Sequence, residues 1–246
     1  MYKKGQLPAM KYKQSLSVVI PAYNEELNIE KAMQRALTEL DRLFETFEII
    51  VVNDASTDGT AALADRLAAA DARIRVIHNE VNLRQGASLL KAFAQARYEL
   101  VTHDAMDYPF DLADMDKLMP YVDDYDVVVA CREERPGYSP YRHFLSHANL
   151  FLLHLFFELK LPDYNFIQVY KKSVLDSVLG RVKARSTGFV TPELVIRAHR
   201  QGFKVKPVNI KYLPREAGVA RSGAIKVIVA TMRDLLSFWF ASLTGR

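Results

Sequence analysis

A single cysteine, Cys131, stands in a chain of 246 residues. That excludes an intramolecular disulfide and fits a reducing compartment. No uninterrupted apolar stretch reaches about 18 residues, so a conventional membrane-spanning helix is not expected. The opening MYKKGQLPAMKYKQ is polar and basic, without an apolar core of signal-peptide length, and residues 1–14 read as a loose leader. No low-complexity linker or internal repeat divides the chain. G-x-S-x-G does not occur, and His78 and His199 carry no zinc-like spacing. The basic residues are not interleaved with aromatics in a stacking pattern. Covalent serine or cysteine catalysis, a zinc site and nucleic-acid binding therefore lack support.

What is present is a chain that is 50% hydrophobic, enough to bury one sizeable core. The formal net charge of +4 and a pI near 9.0 favour anionic partners such as nucleotides, phosphates or an acidic membrane face. Short β-branched runs at 15–20, 47–52, 74–78 and 98–103 alternate with segments of helical periodicity. This pattern predicts α/β architecture, with parallel βαβ units and helices on both sheet faces. Ligands then belong at the carboxyl ends of the strands. After the strand at 126–132 the alternation changes. A Pro/Gly loop, an apolar helix over 141–159, a strand at 165–170, a helix after Thr191, a strand at 203–210, a basic loop and a helix from Ala224 follow. One domain over 1–246 is expected, with a nucleotide half (15–130), an acceptor half (131–223) and a terminal amphipathic helix (224–246).

Every polar cluster falls at a strand exit. VVIPAYNEE (18–26) presents Tyr23, Asn24 and two glutamates where a base and ribose can be held, and the same residues suffice as a helix cap. In VVNDASTDGT (51–60), Asn53 and Asp54 can meet the edge of a base, while Ser56, Asp58 and Gly59 can simply make the turn. In VTHDAMDYPFDL (101–112), Asp104 and Asp107 are hard oxygen ligands suited to a cation on a phosphate.

P-A-Y-N-E-E followed by V-N-D-A-S-T-D-G-T resembles the opening of family 2 glycosyltransferases, which have the GT-A fold. NLRQGASLLKAF (82–93) resembles the family's third motif, with Asn82, Gly86 and Phe93 in step and Arg84 where a glycine is common. The resemblance implies a Rossmann-like, mostly parallel sheet and a nucleotide site formed by Pro21, Tyr23, Glu25, Asn53, Asp54, Arg84 and Gly86. It implies Mg²⁺ or Mn²⁺ at the D-x-D position. There Asp104 aligns with the first acid and Met106 occupies the second, leaving Asp107 or His103 as the replacement. Within the family the closest likeness is to polyprenyl-phosphate sugar synthases of the dolichyl-phosphate mannose (or glucose) synthase type. By that likeness Arg132, Arg142 and Ser146 grip an acceptor phosphate. DYNFIQVYKKSVL (163–175) matches at Asp163 and Tyr170 but lacks the family's glycine and arginine. In the 202–223 segment Arg215 and Gly218 fall in place, and Arg221 takes a lysine-like position. Arg215 and Arg221 are then the residues that offset charge on the diphosphate, with Asp104 and Arg215 central to catalysis.

In the terminal segment a helical wheel gathers Ile225, Ile228, Val229, Met232, Leu235, Leu236, Trp239, Phe240 and Leu243 on one face. Lys226, Arg233, Asp234 and Ser237 lie opposite. That suits a helix lying in a membrane interface, and LFLLHLFFELKL can line the same surface. The plainer alternative is packing on the sheet or on a second subunit, as in a homo-oligomer.

The expectation is an inverting, metal-dependent hexosyltransferase, cytoplasmic and peripheral on the inner face of the membrane. It moves sugar from a GDP- or UDP-linked donor to a polyprenyl phosphate. One alternative keeps the activity but takes a glycan or other hydroxyl acceptor in cell-envelope polysaccharide synthesis. That chemistry needs a carboxylate base, for which Glu193 and Asp163 are the candidates. Another is a degenerate nucleotide-sugar-binding or scaffold protein, for which Met106 is the main support.

Overall fold

The first two strands, Leu16–Ala22 (β1) and Phe47–Asn53 (β2), are buried almost throughout. A strand buried on both faces must lie inside a sheet covered on both sides. A computed structural model, which describes residues 11–106, 110–184, 187–211 and 225–243, shows how this is met. With Ile74–His78 (β3), Leu100–His103 (β4), Val127–Arg132 (β5), Gln168–Lys171 (β6) and Val205–Ile210 (β7), they form one sheet in the order β3-β2-β1-β4-β6-β5-β7. All pairs are parallel except those of β6, which runs antiparallel to both β4 and β5.

The helices are Ile29–Leu43 (α1), Thr60–Ala70 (α2), Arg84–Gln95 (α3), Met115–Leu118 (α4), Pro140–Phe156 (α5), Lys172–Val178 (α6), Val190–Arg200 (α7) and Ile225–Leu243 (α8). The apolar stripe of α1, from Ile29 through Met33, Ala36 and Leu40 to Leu43, packs on one sheet face together with Met115, Leu118 and Met119. On the other face lie Leu89 and Phe93 of α3, Leu175 of α6, Leu194 of α7, and Leu153 and Leu235 from α5 and α8. Cys131 is in this second layer, and burial pushes its thiol up to about 12. An unreactive core residue results.

Several elements depart from the sequence expectation. The strand foreseen at 165–170 pairs only over Gln168–Lys171. α6 and the run of 3₁₀ and α turns over 112–121 had no sequence assignment, being too short to display a period. The leader is tied down before its foreseen end: Tyr12 bridges to Phe44, and its hydroxyl donates to Asp116 at 3.0 Å.

The wheel for α8 also needs correction. Leu235 turns inward as foreseen, but its buried companion is Phe238, stacked on Phe157 at 5.3 Å. Trp239 meets Phe156 of α5 at 4.7 Å. Asp234, foreseen on the polar face, is mostly covered and accepts from the Thr187 hydroxyl at 2.8 Å. Val229 and Phe240 remain exposed. The side chains of Ile225 and Leu243 lie outside the described residues. Among the described residues no helix is long and apolar enough to cross a membrane.

Candidate active site

The chain adds β2 and β3 on one side of β1 and then places β4 on the other. That reversal makes the carboxyl end between β1 and β4 the switch point, where open α/β sheets leave a ligand crevice. The β1–β4 ladder ends at the pair Val19 and His103, while β1 continues beside β2 to Ala22. Pro21 therefore lies past the last β4 pair, where its missing N–H interrupts no ladder on that side.

The two loops leaving β1 and β2 brace one another. The Asn24 amide donates to Ser56 Oγ at 3.1 Å, and the Asn24 side-chain oxygen accepts from the Thr57 amide at 2.9 Å. The Glu25 amide donates to Thr60 Oγ1 at 2.8 Å, and Glu26 accepts from the Gly59 amide at 2.8 Å. Burial alone raises the Asp58 carboxyl. Bonds from the Thr60 hydroxyl and from the Thr60 and Glu26 amides outweigh it and hold the group below its ordinary value. Asn24 and Ala55 take left-handed φ values of 55° and 56°. For alanine that is a strained backbone, kept because the surrounding bonds fix it. Tyr23 is exposed at the rim, and Glu25 accepts from Asn28 at 2.8 Å.

Asn53 and Asp54, foreseen as readers of a base edge, are engaged within the protein. Asp54 is 3% exposed. One of its oxygens accepts from the Asn79 side chain and the Leu83 amide, and the other from the Arg84 amide, each at 2.8 Å. It thereby holds the loop into α3. Asn53 accepts from the Ser56 amide at 3.2 Å and donates to His78 Nδ1 at 3.0 Å, and the far nitrogen of His78 lies 3.0 Å from Asp65. Arg84, on the residue where a glycine is common in the resembled motif, has φ 67°. The backbone keeps a conformation natural to glycine while presenting an exposed guanidinium at the start of α3. Gly86 is buried in the first turn of that helix.

Asp104 leaves β4 beside this loop pair. Its amide donates to the Val19 carbonyl at 2.9 Å, and one carboxylate oxygen accepts from the Ala105 amide at 2.8 Å. Met106 does not face the crevice as a substitute ligand: it is buried in the core layer with Phe110 and Phe166. His103, foreseen as a possible replacement ligand, is also buried on the sheet, bonded to Gln168 Oε1 at 3.0 Å. Burial keeps its imidazole neutral by pushing its pKa down. Asp107, Arg215, Gly218 and Arg221 lie outside the described residues. Among the described residues, no group of three or more His, Cys, Asp or Glu can hold a metal by itself. Among the described residues the donor set is the carboxylate of Asp104, which suits a cation completed by phosphate oxygens.

Beyond β5 the chemistry turns cationic. Arg132 forks onto Asp163 through Nε at 2.5 Å and Nη2 at 3.0 Å, and its Nη1 donates to the Tyr138 hydroxyl at 2.9 Å. The pair is buried, with side chains 10% and 3% exposed. Arg132, foreseen as a grip on the acceptor phosphate, has this fork and the Tyr138 bond inside the protein. Losing one member of such a pair costs about 3–5 kcal/mol. Arg135 reaches the same carboxylate by one contact of 3.4 Å. Burial opposes ionisation of Asp163, but the Arg132 fork, the Asn165 amide and the Arg135 charge hold its carboxyl below the ordinary 3.8. Arg142 lies 4.0 Å over the Tyr138 ring, and Ser146 sits one turn further along α5.

Neither carboxylate offered as a general base is available. Asp163 is locked between guanidiniums. Glu193 is fully buried, accepting from the Lys183 and Ala184 amides at 2.9 and 2.8 Å and from Arg197 at 2.8 Å. Sequence reasoning passed over Arg135. Its signal was the R-P-G-Y turn: the Tyr138 amide donates to the Arg135 carbonyl at 3.2 Å, with Gly137 at φ 78°, as a type II turn requires.

The sequence model for the family described as "Glycosyl transferase family 2" matches residues 17–180. Glycosyltransferase AglD of Haloferax volcanii is 28% identical over 233 residues, covering 92% of this chain and 37% of that protein. The undecaprenyl-phosphate 4-deoxy-4-formamido-L-arabinose transferase of Pseudomonas fluorescens is 29% identical over 231 residues, covering 90% of this chain and 64% of that protein. The chain thus spans less than two thirds of either relative. Among solved structures, glucosyl-3-phosphoglycerate synthase of Mycobacterium tuberculosis, in complex with Mn²⁺, UDP and glucosyl-3-phosphoglycerate, superposes with a TM-score of 0.67 at 22% identity. It covers 91% of this chain and 79% of that one. TarS of S. aureus in complex with UDP-GlcNAc gives 0.60 at 18% identity, covering 91% and 66%. These two likenesses concern the fold, which is that of GT-A enzymes. With a match over more than half its length, the chain belongs to glycosyl transferase family 2.

Proposed function

We propose that this protein transfers a hexose, with inversion, from a UDP- or GDP-linked donor to a polyprenyl phosphate. The observation that carries this reading is the cluster at the end of β5, where Arg132 and Arg135 share one carboxylate, Asp163, and Arg142 stacks on the Tyr138 ring that Arg132 also contacts. That surplus of guanidinium suits a phosphate-bearing acceptor. The names of the undecaprenyl-phosphate relatives point the same way.

In this mechanism the nucleoside lies over the braced β1 and β2 exits, against Tyr23 and Glu25, with Asn53 and Asp54 shaping the floor. Arg84 faces the diphosphate, and Arg215 and Arg221 offset the charge that develops as it leaves. Asp104, with Asp107 as second carboxylate, would hold Mg²⁺ or Mn²⁺, which supplies neutralisation of the leaving diphosphate. An acceptor phosphate oxygen attacks the anomeric carbon as the bond to the diphosphate oxygen breaks. The nucleophile is already an anion at neutral pH, so no proton must be removed. The locked state of Asp163 and Glu193 is compatible with that chemistry and poorly suited to a hydroxyl acceptor.

A peripheral place on the inner face of the membrane is part of the same reading. Phe144, Phe151 and Leu155 on α5 are 69%, 65% and 61% exposed, spaced to share one side of the helix. Val229 and Phe240 of α8 are exposed apolar side chains as well.

The test is product analysis with labelled UDP- and GDP-sugars and a short polyprenyl phosphate, with and without Mn²⁺, in wild type and Asp104→Ala. A glycosyl-phosphate lipid that forms in wild type and disappears in D104A supports the proposal. Metal-independent binding of nucleotide without any transfer would sink it and favour a degenerate binding protein.

A further inference from the structure

The three guanidiniums of this cluster, two on Asp163 and one on the Tyr138 ring, are not equivalent. The N–H groups of Arg132 are committed to Asp163 through a fork and to Tyr138 through a third bond. Arg135 has one long contact of 3.4 Å to Asp163. Its Nε is buried without a hydrogen-bond partner, one of two such side-chain atoms among the described residues. A buried guanidinium N–H without an acceptor is costly, and an anion arriving beside it removes that cost. The R-P-G-Y turn holds Arg135 next to Tyr138, whose ring carries the Arg142 guanidinium at 4.0 Å. Among the described residues, the carboxylate paired within this cluster is that of Asp163. The neighbouring Glu133 and Glu134 are exposed. The surplus charge matches a phosphate monoester.

We infer that Arg135 makes the direct contact to the acceptor phosphate, with Arg142 beside it, while Arg132 and Asp163 are positioning residues. This rests on the phosphate-acceptor reading above. On binding, Arg135 exchanges its single long contact to Asp163 for the phosphate oxygens, and the Arg132–Asp163 fork stays closed. The assignment moves the acceptor contact from the arginine that ends β5 to one in the loop after it.

The experiment is calorimetric titration of the full chain with a short-chain polyprenyl phosphate in detergent, which requires no turnover. Wild type is expected to bind. Arg135→Gln should weaken binding about tenfold or more while leaving nucleoside diphosphate affinity and the thermal midpoint unchanged. Arg135→Lys, which keeps the charge and loses the fork, should fall between them. Arg132→Gln should instead lower the thermal midpoint. The inference is overturned if wild type fails to bind the lipid phosphate, or if R135Q binds it within about twofold of wild type. A wild type that binds the lipid phosphate without transferring sugar would sink the transferase reading and leave the Arg135 contact standing.

Discussion

At the exits of β1 and β2, carboxylates meet backbone amides. Asp54 holds the Leu83 and Arg84 amides, Asp58 those of Glu26 and Thr60, and Glu26 that of Gly59. At the exit of β5, guanidiniums meet a single carboxylate, and one of them has an orphaned nitrogen. The first region satisfies itself. Its loops are cross-braced by their own hydrogen bonds, even at the expense of left-handed φ at Ala55 and Arg84. In the second, among the described residues, Arg132 and Arg135 share the one carboxylate of Asp163. Under the proposed function, the first region would serve as a nucleotide platform and the second as the receiver of an anion.

The largest expected effect breaks the acceptor side at its strut. Asp163→Asn leaves Arg132 and Arg135 around a neutral amide, and denaturant unfolding at pH 7 should show a loss of about 3–5 kcal/mol. The pH dependence has a definite sign. The folded-state carboxyl lies below its ordinary 3.8, so its contribution is full above that value and is lost as pH falls through the lower folded value. The gap between wild type and D163N should therefore narrow below pH 3.8, as followed by stability measurements at stepped pH.

Next comes the donor side. Asp54→Ala orphans the Leu83 amide and leaves the Arg84 amide its 3.2 Å contact to Asn82, and should cost about 2–3 kcal/mol, with nucleotide affinity falling in the same titrations. Arg84→Gly sharpens the contrast, because stability and affinity should move in opposite directions. Relief of the φ 67° strain should add about 1 kcal/mol to unfolding stability, while loss of the guanidinium weakens nucleoside diphosphate binding. The smallest stability effect belongs to the exposed apolar side of α5. Phe151→Glu should change unfolding stability by less than about 0.5 kcal/mol, yet reduce co-sedimentation with anionic vesicles.

Much of the donor side was legible because its signals are local. β-branched runs stop at Pro21, Asn53 and His103, and the turn residues that follow announce the loops. The sequence also marked Arg84 as unusual, and its left-handed backbone explains why a glycine is common there. Less was legible where the deciding partner is remote in sequence. Arg132 and Asp163 are joined across 31 residues, so nothing local reveals that the Arg132 guanidinium is engaged inside the protein. Met106 looked like a damaged metal ligand because its identity was visible and its burial with Phe110 was not. Phe238 was missed on α8 because a wheel ranks residues by polarity, whereas the neighbours Phe157 and Phe189 decide which side turns inward.

The most direct measurement offers the protein equal concentrations of a short polyprenyl phosphate and the matching polyprenol, with one nucleotide sugar, and weighs the lipid products by mass spectrometry. The account predicts sugar on the phosphate and none on the alcohol. Sugar transferred to the polyprenol, with the polyprenyl phosphate recovered unchanged, would contradict it.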